Sequence, residues 1–175
     1  MMSGFGMQVS LFGKHPSSSE YLHLGQNSDF TSSIINWIEN GYEVLLKIRQ
    51  AYATHRVLNF YFLNKDTDSF VCGTLQLSKD SKGREYPIVI LVQMQGIEQH
   101  RDCQALWNKN LDIFKNAKSL DELIDTLSRY KIIFDEKTSQ EIDTKVLAAF
   151  MSEDFSKLKL FYQPLQIDDF IEMMR

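Results

Sequence analysis

A change of hydrophobic period just after Tyr52 constrains this chain more than any other feature. Before it, Phe30, Ile34, Trp37, Ile38, Tyr42, Leu45, Ile48 and Tyr52 recur at three- and four-residue spacing, the apolar face of a long amphipathic helix. Ser28 and Asp29 supply N-cap chemistry ahead of it. Gly41 lies inside the pattern and costs a helix about 1 kcal/mol relative to alanine, so the helix must rely on tertiary packing. After it come short β-rich runs over 57–63, 70–77 and 86–94. The first is almost continuously apolar and aromatic, which suits a strand buried on both faces. The third carries Ile88-Val89-Ile90 and Val92, with Pro87 near its start, where a missing donor is tolerated. Polar turns of a few residues separate the three runs, so they predict an antiparallel meander packed on the helix that carries Trp37, an α+β arrangement.

The flanks are less regular. Val9–Phe12 predicts a short strand ended by Gly13, and His15–Ser19 a loop built from proline and serine. Beyond Gly96 the pattern turns mostly helical. Cys103, Leu106, Trp107, Asn110, Leu111 and Phe114 form one stripe. Ser119 with Glu122 predicts a capping box, followed by Leu120, Leu123, Ile124 and Leu127. Thr138 with Glu141 predicts another, followed by Ile142, Val146 and Phe150. Leu158–Tyr162 fits either a strand or a helical turn. Pro164 breaks the chain, and Asp168 caps a short final helix ending at Met174. With 175 residues and no repeat or linker, the expectation is one domain over 1–175, large enough to bury its own core.

The sequence argues against several kinds of chemistry. A net charge of −4 leaves no basic footprint for nucleic acid. No apolar run approaches the ~18–20 residues of a membrane span. The start has no basic region followed by an apolar stretch, so the expected location is cytoplasmic. Cys72 and Cys103 stand in separate elements and read as free, buried thiols. Gly13-Lys14 lacks the upstream glycines and the following Ser/Thr of a phosphate loop. His15, His23, His55 and His100 show no metal-ligand spacing, and the acids between Asp121 and Asp169 lack a calcium-loop pattern. A Ser–His or Cys–His pair assembled in space stays open, but no local nucleophile signature supports one. The expectation is no catalytic residue, no cofactor and no metal. Arg84, at a turn exit beside Asp80 and Glu85, reads as a guanidinium that locks a turn through a carboxylate, or as a direct partner contact.

The segments Phe12-Gly13-Lys14-His15-Pro16-Ser17-Ser18-Ser19-Glu20-Tyr21 and Gly73–Pro87, together and in this order, resemble the TagF family. The first is Phe12-Gly13-Lys14 with Pro16 and Ser17, followed by Glu20 and Tyr21 where the family has aspartate and phenylalanine. Ser18 and Ser19 replace an Arg-Gly pair of the family pattern, removing a cation. The second fits a longer run without a gap: Gly73, Leu75, Ser78, Asp80, Gly83, Arg84, Tyr86 and Pro87. Between them Trp37 matches the family's helix tryptophan, and Asn59-Phe60-Tyr61-Phe62 its aromatic strand. The resemblance covers about residues 9–94, with 97–175 a mostly helical extension. It implies a cytoplasmic, non-enzymatic accessory protein of bacterial type VI secretion. Such a protein restrains assembly or firing of the apparatus after translation, through a forkhead-associated-domain scaffold protein, without nucleic acid or membrane insertion. Lys14, Pro16, Ser17 and Glu20 form a proline-held polar loop after a strand, a candidate contact surface or an ordinary connection. Two other readings are a small enzyme or ligand-binding domain with a cleft at the strand ends, and a longin-like or profilin-like scaffold domain in another machine.

Overall fold

The computed structural model describes residues 7–48, 57–95, 103–130, 148–153 and 158–174. In chain order the elements are β1 (Gln8–Gly13), β2 (Leu22–Gly25), α1 (Asp29–Lys47), β3 (Val57–Asn64), β4 (Ser69–Lys79) and β5 (Glu85–Gln95). They continue with α2 (Cys103–Asn116), α3 (Leu120–Ser128), β6 (Ala148–Ser152), β7 (Leu158–Phe161) and α4 (Ile167–Met174). The fold is α+β. One antiparallel seven-stranded sheet runs in the order β2-β1-β5-β4-β3-β6-β7. The meander β3-β4-β5 forms its centre, in the register Phe60↔Gly73 and Gly73↔Leu91.

Helices cover both faces of this centre. On one face Phe60, Phe62, Val71, Leu75, Val89, Leu91 and Phe150 meet Ile34, Ile38, Tyr42 and Leu45 of α1 and Phe170, Met173 and Met174 of α4. On the other, Phe70, Cys72, Ile88, Ile90 and Val92 meet Leu106, Trp107 and Ile113 of α2 and Leu123 of α3. That double cover explains why the central strands are continuously apolar instead of alternating. It also requires small residues where side chains cross. A Cβ at Gly73 would lie 2.5 Å from the ring of Phe60, so the bare backbone makes room for that ring in the middle of the sheet. Gly41 serves α1 the same way: a Cβ there would lie 2.5–2.7 Å from Phe170. The weak helix former is the seat on which α4 rests.

Several expectations change. Ser28 is the N-cap of α1, with Thr31 completing a reciprocal capping box, and Asp29 is the first helical residue. Trp37 is half-buried instead of a core side chain. Its ring packs edge-on against Phe62 and Phe170, and its indole N–H donates to the Gln166 carbonyl at 2.8 Å, tying α1 to the entry of α4. Ile48 and Ile124 face solvent. Ser119 caps α3, but the Glu122 carboxylate takes the Lys118 N–H instead of closing the box. Phe150, expected on a helix, lies on β6, where Phe150↔Phe60 pairing buries it beside the aromatic strand. Leu158–Phe161 is a strand, so the C-terminal half adds two strands to its helices. Asp168 is inside α4, and the Asp169 carboxylate accepts the Gln166 N–H. Strand β2 has no counterpart in the expectations. Tyr52, His55, His100, the Thr138–Glu141 box with Ile142 and Val146, and Gly96 lie outside the described residues.

Candidate functional site

The two motif segments, some 65 residues apart in sequence, converge at one end of the sheet, where β1 ends beside the β4–β5 turn. Gly13 makes the approach possible. Its φ of +118° suits only glycine, and a Cβ there would fall 2.0 Å from the Pro87 carbonyl oxygen. That carbonyl accepts the Lys14 N–H at 3.4 Å. Pro87 sits one residue past the β1 ladder, which pairs Gly13 with Ile88, so the N–H it lacks would have faced beyond the end of β1.

Asp80 is the hub. Its side chain is fully buried, although the turn around it is exposed. Its carboxylate accepts the Lys82 and Arg84 backbone N–H groups at 2.9 Å each and the Arg84 Nε–H at 2.6 Å. Lys14 Nζ stands 3.6 Å away. Burial pushes the Asp80 carboxyl up. The hydrogen bonds from Arg84 and Lys82 and the Arg84 charge outweigh that and hold it at about 2. Gly83, at φ +78°, lets the turn close on its own carboxylate. Arg84 then reaches across to the first segment, donating from Nη2 to the Ser19 carbonyl at 2.8 Å, while Ser81 N–H donates to the Ser18 carbonyl at 2.9 Å. Lys14 also lies 5.8 Å above the Tyr86 ring, which packs edge-on against Tyr21 and Tyr42. The Tyr21 hydroxyl donates to Glu39 on α1. Burial, that bond and the Glu39 charge push the Tyr21 phenol up.

A second strut comes from below. His15 is buried. Its Nε2 lies 3.1 Å from the Ala117 carbonyl between α2 and α3, and its Nδ1 lies 3.1 Å from Ser17 N and 2.6 Å from Ser17 Oγ. A carbonyl can only accept and a backbone N–H can only donate, so both contacts require the neutral imidazole with its proton on Nε2. The Ser17 hydroxyl then donates to Nδ1. Burial lowers the His15 pKa, as does Lys118, against the opposing effect of the bond to Ala117.

Most of the sequence-selected residues therefore meet in one structure. Gly13, Lys14, Asp80, Gly83, Arg84, Tyr86 and Pro87 build the clasp, and Ser78 stands opposite Tyr86 in the ladder leading to it. Of the loop residues, Pro16 and Glu20 face solvent, Ser17 is half-buried on His15, and Lys14 is mostly covered. Gly73 and Trp37 lie apart, in the sheet core and on α1. His15 and Ala117 were not singled out as a pair; their contact spans 102 residues and leaves no local signal. Two of the hollows among the described residues lie away from the Asp80–Arg84 turn, the second against Ala117 of the strut. One, of about 250 Å³, is lined by Leu58, Phe150, Leu158 and Met173. The other, of about 220 Å³, lies between α2 and α3. No group of three or more His, Cys, Asp or Glu among the described residues is placed to hold a metal. No described helix is long and apolar enough to cross a membrane. Neither Cys72 nor Cys103 is in a disulfide; Cys72 is buried as expected, and Cys103 is only half-buried.

Residues 10–131 match the family model of the TagF N-terminal domain, type VI secretion system-associated. No curated protein sequence matches the chain. Among solved structures, the crystal structure of PA0076 from Pseudomonas aeruginosa PAO1 superposes with a TM-score of 0.70. It covers 95% of this chain and 93% of that one, and at 12% sequence identity the likeness is one of fold. The family match takes in both motif segments, the clasp they form and the α2–α3 strut beneath it, so the chain belongs to the TagF N-terminal domain family of type VI secretion system-associated proteins.

Proposed function

We propose that this protein is a non-enzymatic, cytoplasmic regulator that restrains assembly or firing of the type VI apparatus after translation. It does so by binding a forkhead-associated-domain scaffold protein. The family membership supports the apparatus. The observation that carries the mode of action is the use to which the motif residues are put. Asp80, Arg84, Lys14 and His15 all hold the loop from Lys14 to Glu20 in one shape, while Pro16 and Glu20 present it to solvent. A loop ordered before binding loses less entropy on binding. Both His15 nitrogens are occupied by the protein's own groups, which favours a strut over a proton-transfer base.

The test uses the host. Secretion of a hallmark effector is compared with the gene deleted, restored and overexpressed, and the tagged protein is used to capture its partners. Overexpression should lower secretion, and the scaffold should be recovered with the wild type. Pro16→Ala with Glu20→Lys, two solvent-facing changes, should weaken that capture at unchanged thermal stability. Equal secretion in all three backgrounds would refute the regulatory reading. Undiminished capture by the double variant would move the contact away from the loop.

A further inference from the structure

The far end of the sheet poses a separate question, independent of the proposed regulatory role. Strand β7 is the sheet's last strand. Among the described residues no strand pairs its outer edge. Such an edge carries unpaired N–H and C=O groups, and proteins usually guard it with charge or proline. Here the outward stripe is apolar. Leu158 is 55% and Leu160 37% exposed, and Tyr162, in the bend just past β7, is 56% exposed. The alternate residues point the other way: Phe161 packs on the α1/α4 core, and Lys159 Nζ bonds Glu172 of α4 at 2.8 Å. The opposite edge, β2, is shorter of apolar surface, with His23 and Gly25 its exposed positions.

We infer that β7 is a self-association edge, which pairs antiparallel with β7 of a second copy of this chain about a two-fold axis at Leu160. The register follows from symmetry. A two-fold axis normal to the sheet keeps like faces together, so residues opposite across the seam must share a face. Only Lys159, Leu160 or Phe161 can then lie on the axis. With Lys159 there, two ammonium groups would stand directly opposed, which is unfavourable. With Phe161 there, Leu158, Lys159 and Leu160 would all face positions past the end of β7, the farthest of them Pro164, which has no N–H to donate. With Leu160 there, each Lys159 faces Phe161 and the two Leu160 side chains face each other within β7, while each Leu158 comes to the partner's Tyr162 in the bend just past the strand. The Lys159–Phe161 match repeats a contact already present within one chain, where Nζ lies 5.6 Å over the ring. Every cross-strand pair is thus apolar or cation–aromatic, and none sets like charges together. A seam of one short strand buries less than the ~800 Å² per partner of a stable interface, so the association should be weak, half-complete between roughly 10 µM and 1 mM.

Sedimentation equilibrium across that range tests it. The wild type should rise from the 20.4 kDa of one chain toward twice that mass. Leu160→Lys and Leu160→Glu each place like charges on the axis and should stay monomeric with unchanged circular dichroism. Mixed in equal amounts, the two variants should recover the doubled mass, because the axis now opposes lysine to glutamate. A wild type that is monomeric at 1 mM would overturn the proposal. So would a dimer untouched by either single charge, which would place the interface on another face, or a mixture that stays monomeric. If a monomeric wild type captures a different protein through an edge that Leu160→Lys abolishes, β7 serves a foreign strand, and the self-pairing is wrong.

Discussion

Replacing Gly41 by alanine normally strengthens a helix by about 1 kcal/mol. Here the sign should reverse. The new Cβ would lie 2.5 Å from Phe170 Cδ1 and Cγ and 2.7 Å from Phe170 Cβ. The last of these is the root of the side chain, so a rotamer change cannot clear the clash and α4 itself must shift. Phe170 is fully buried, and α4 is held to α1 by the Trp37–Gln166 bond. Overpacking of this kind costs about 1–3 kcal/mol, and contacts this short belong at the upper end. Less the propensity gain, Gly41→Ala should destabilise by roughly 2 kcal/mol, or about 4–8 °C in Tm for a domain of this size. Phe170→Ala alone should cost about 3–5 kcal/mol. In that background the two ring contacts at 2.5 Å are gone, only the Cβ contact at 2.7 Å remains, and α4 has an emptied ring site to settle into, so Gly41→Ala should cost no more than about 1 kcal/mol. Urea unfolding of the four proteins gives the cycle, with a coupling of roughly 1–2 kcal/mol between the two sites. Equal effects of Gly41→Ala in both backgrounds would refute the seat described for α4.

Two further predictions concern pH. The Asp80 carboxyl is held at about 2 in the folded protein against 3.8 unfolded, so its contribution is present above pH 4 and lost as pH falls toward 2. Asp80→Asn should remove that part of the slope of urea midpoints between pH 4 and 2.5; an unaltered slope would show that the clasp does not hold the charge. The neutral His15 has its folded pKa lowered from 6.5, so below pH 6.5 the unfolded chain binds a proton that the folded one refuses, and stability falls with pH. His15→Asn should flatten the wild-type Tm loss between pH 7 and 5, and parallel curves would place the titrating group elsewhere.

What was legible in the sequence was local. The β3-β4-β5 meander showed itself through three β-rich runs with short turns, and Asp80 and Arg84 lie four residues apart, so turn chemistry alone suggested the pair. Phe150 shows where such reasoning fails. Ala148-Ala149-Phe150 has good helix formers after a capping pattern, but Phe60 and Phe62 on β3 offer it a buried aromatic neighbourhood, and tertiary burial overrides propensity. Strand β2 is four residues long and follows a serine loop, too little for a period of two to register. Nor does sequence disclose the buried chain in which Tyr130 donates to Asn110, Asn110 to Thr74 and Thr74 to Asn59. Its members come from α2, β3, β4 and the chain just past the end of α3, and each is an ordinary polar residue until the fold joins them.

The seating of α4 on α1 also orders events during synthesis. Helix α1 is complete once Lys47 has been made, but Phe170, which fills the notch at Gly41, is made more than a hundred residues later. At ~5–20 residues per second, that interval is on the order of ten seconds. Throughout it the Gly41 notch and the adjoining face of Trp37 have no cover from α4 on a nascent chain. The window for misassociation on this face of the protein is therefore set by the speed of translation, and it closes only when α4 arrives.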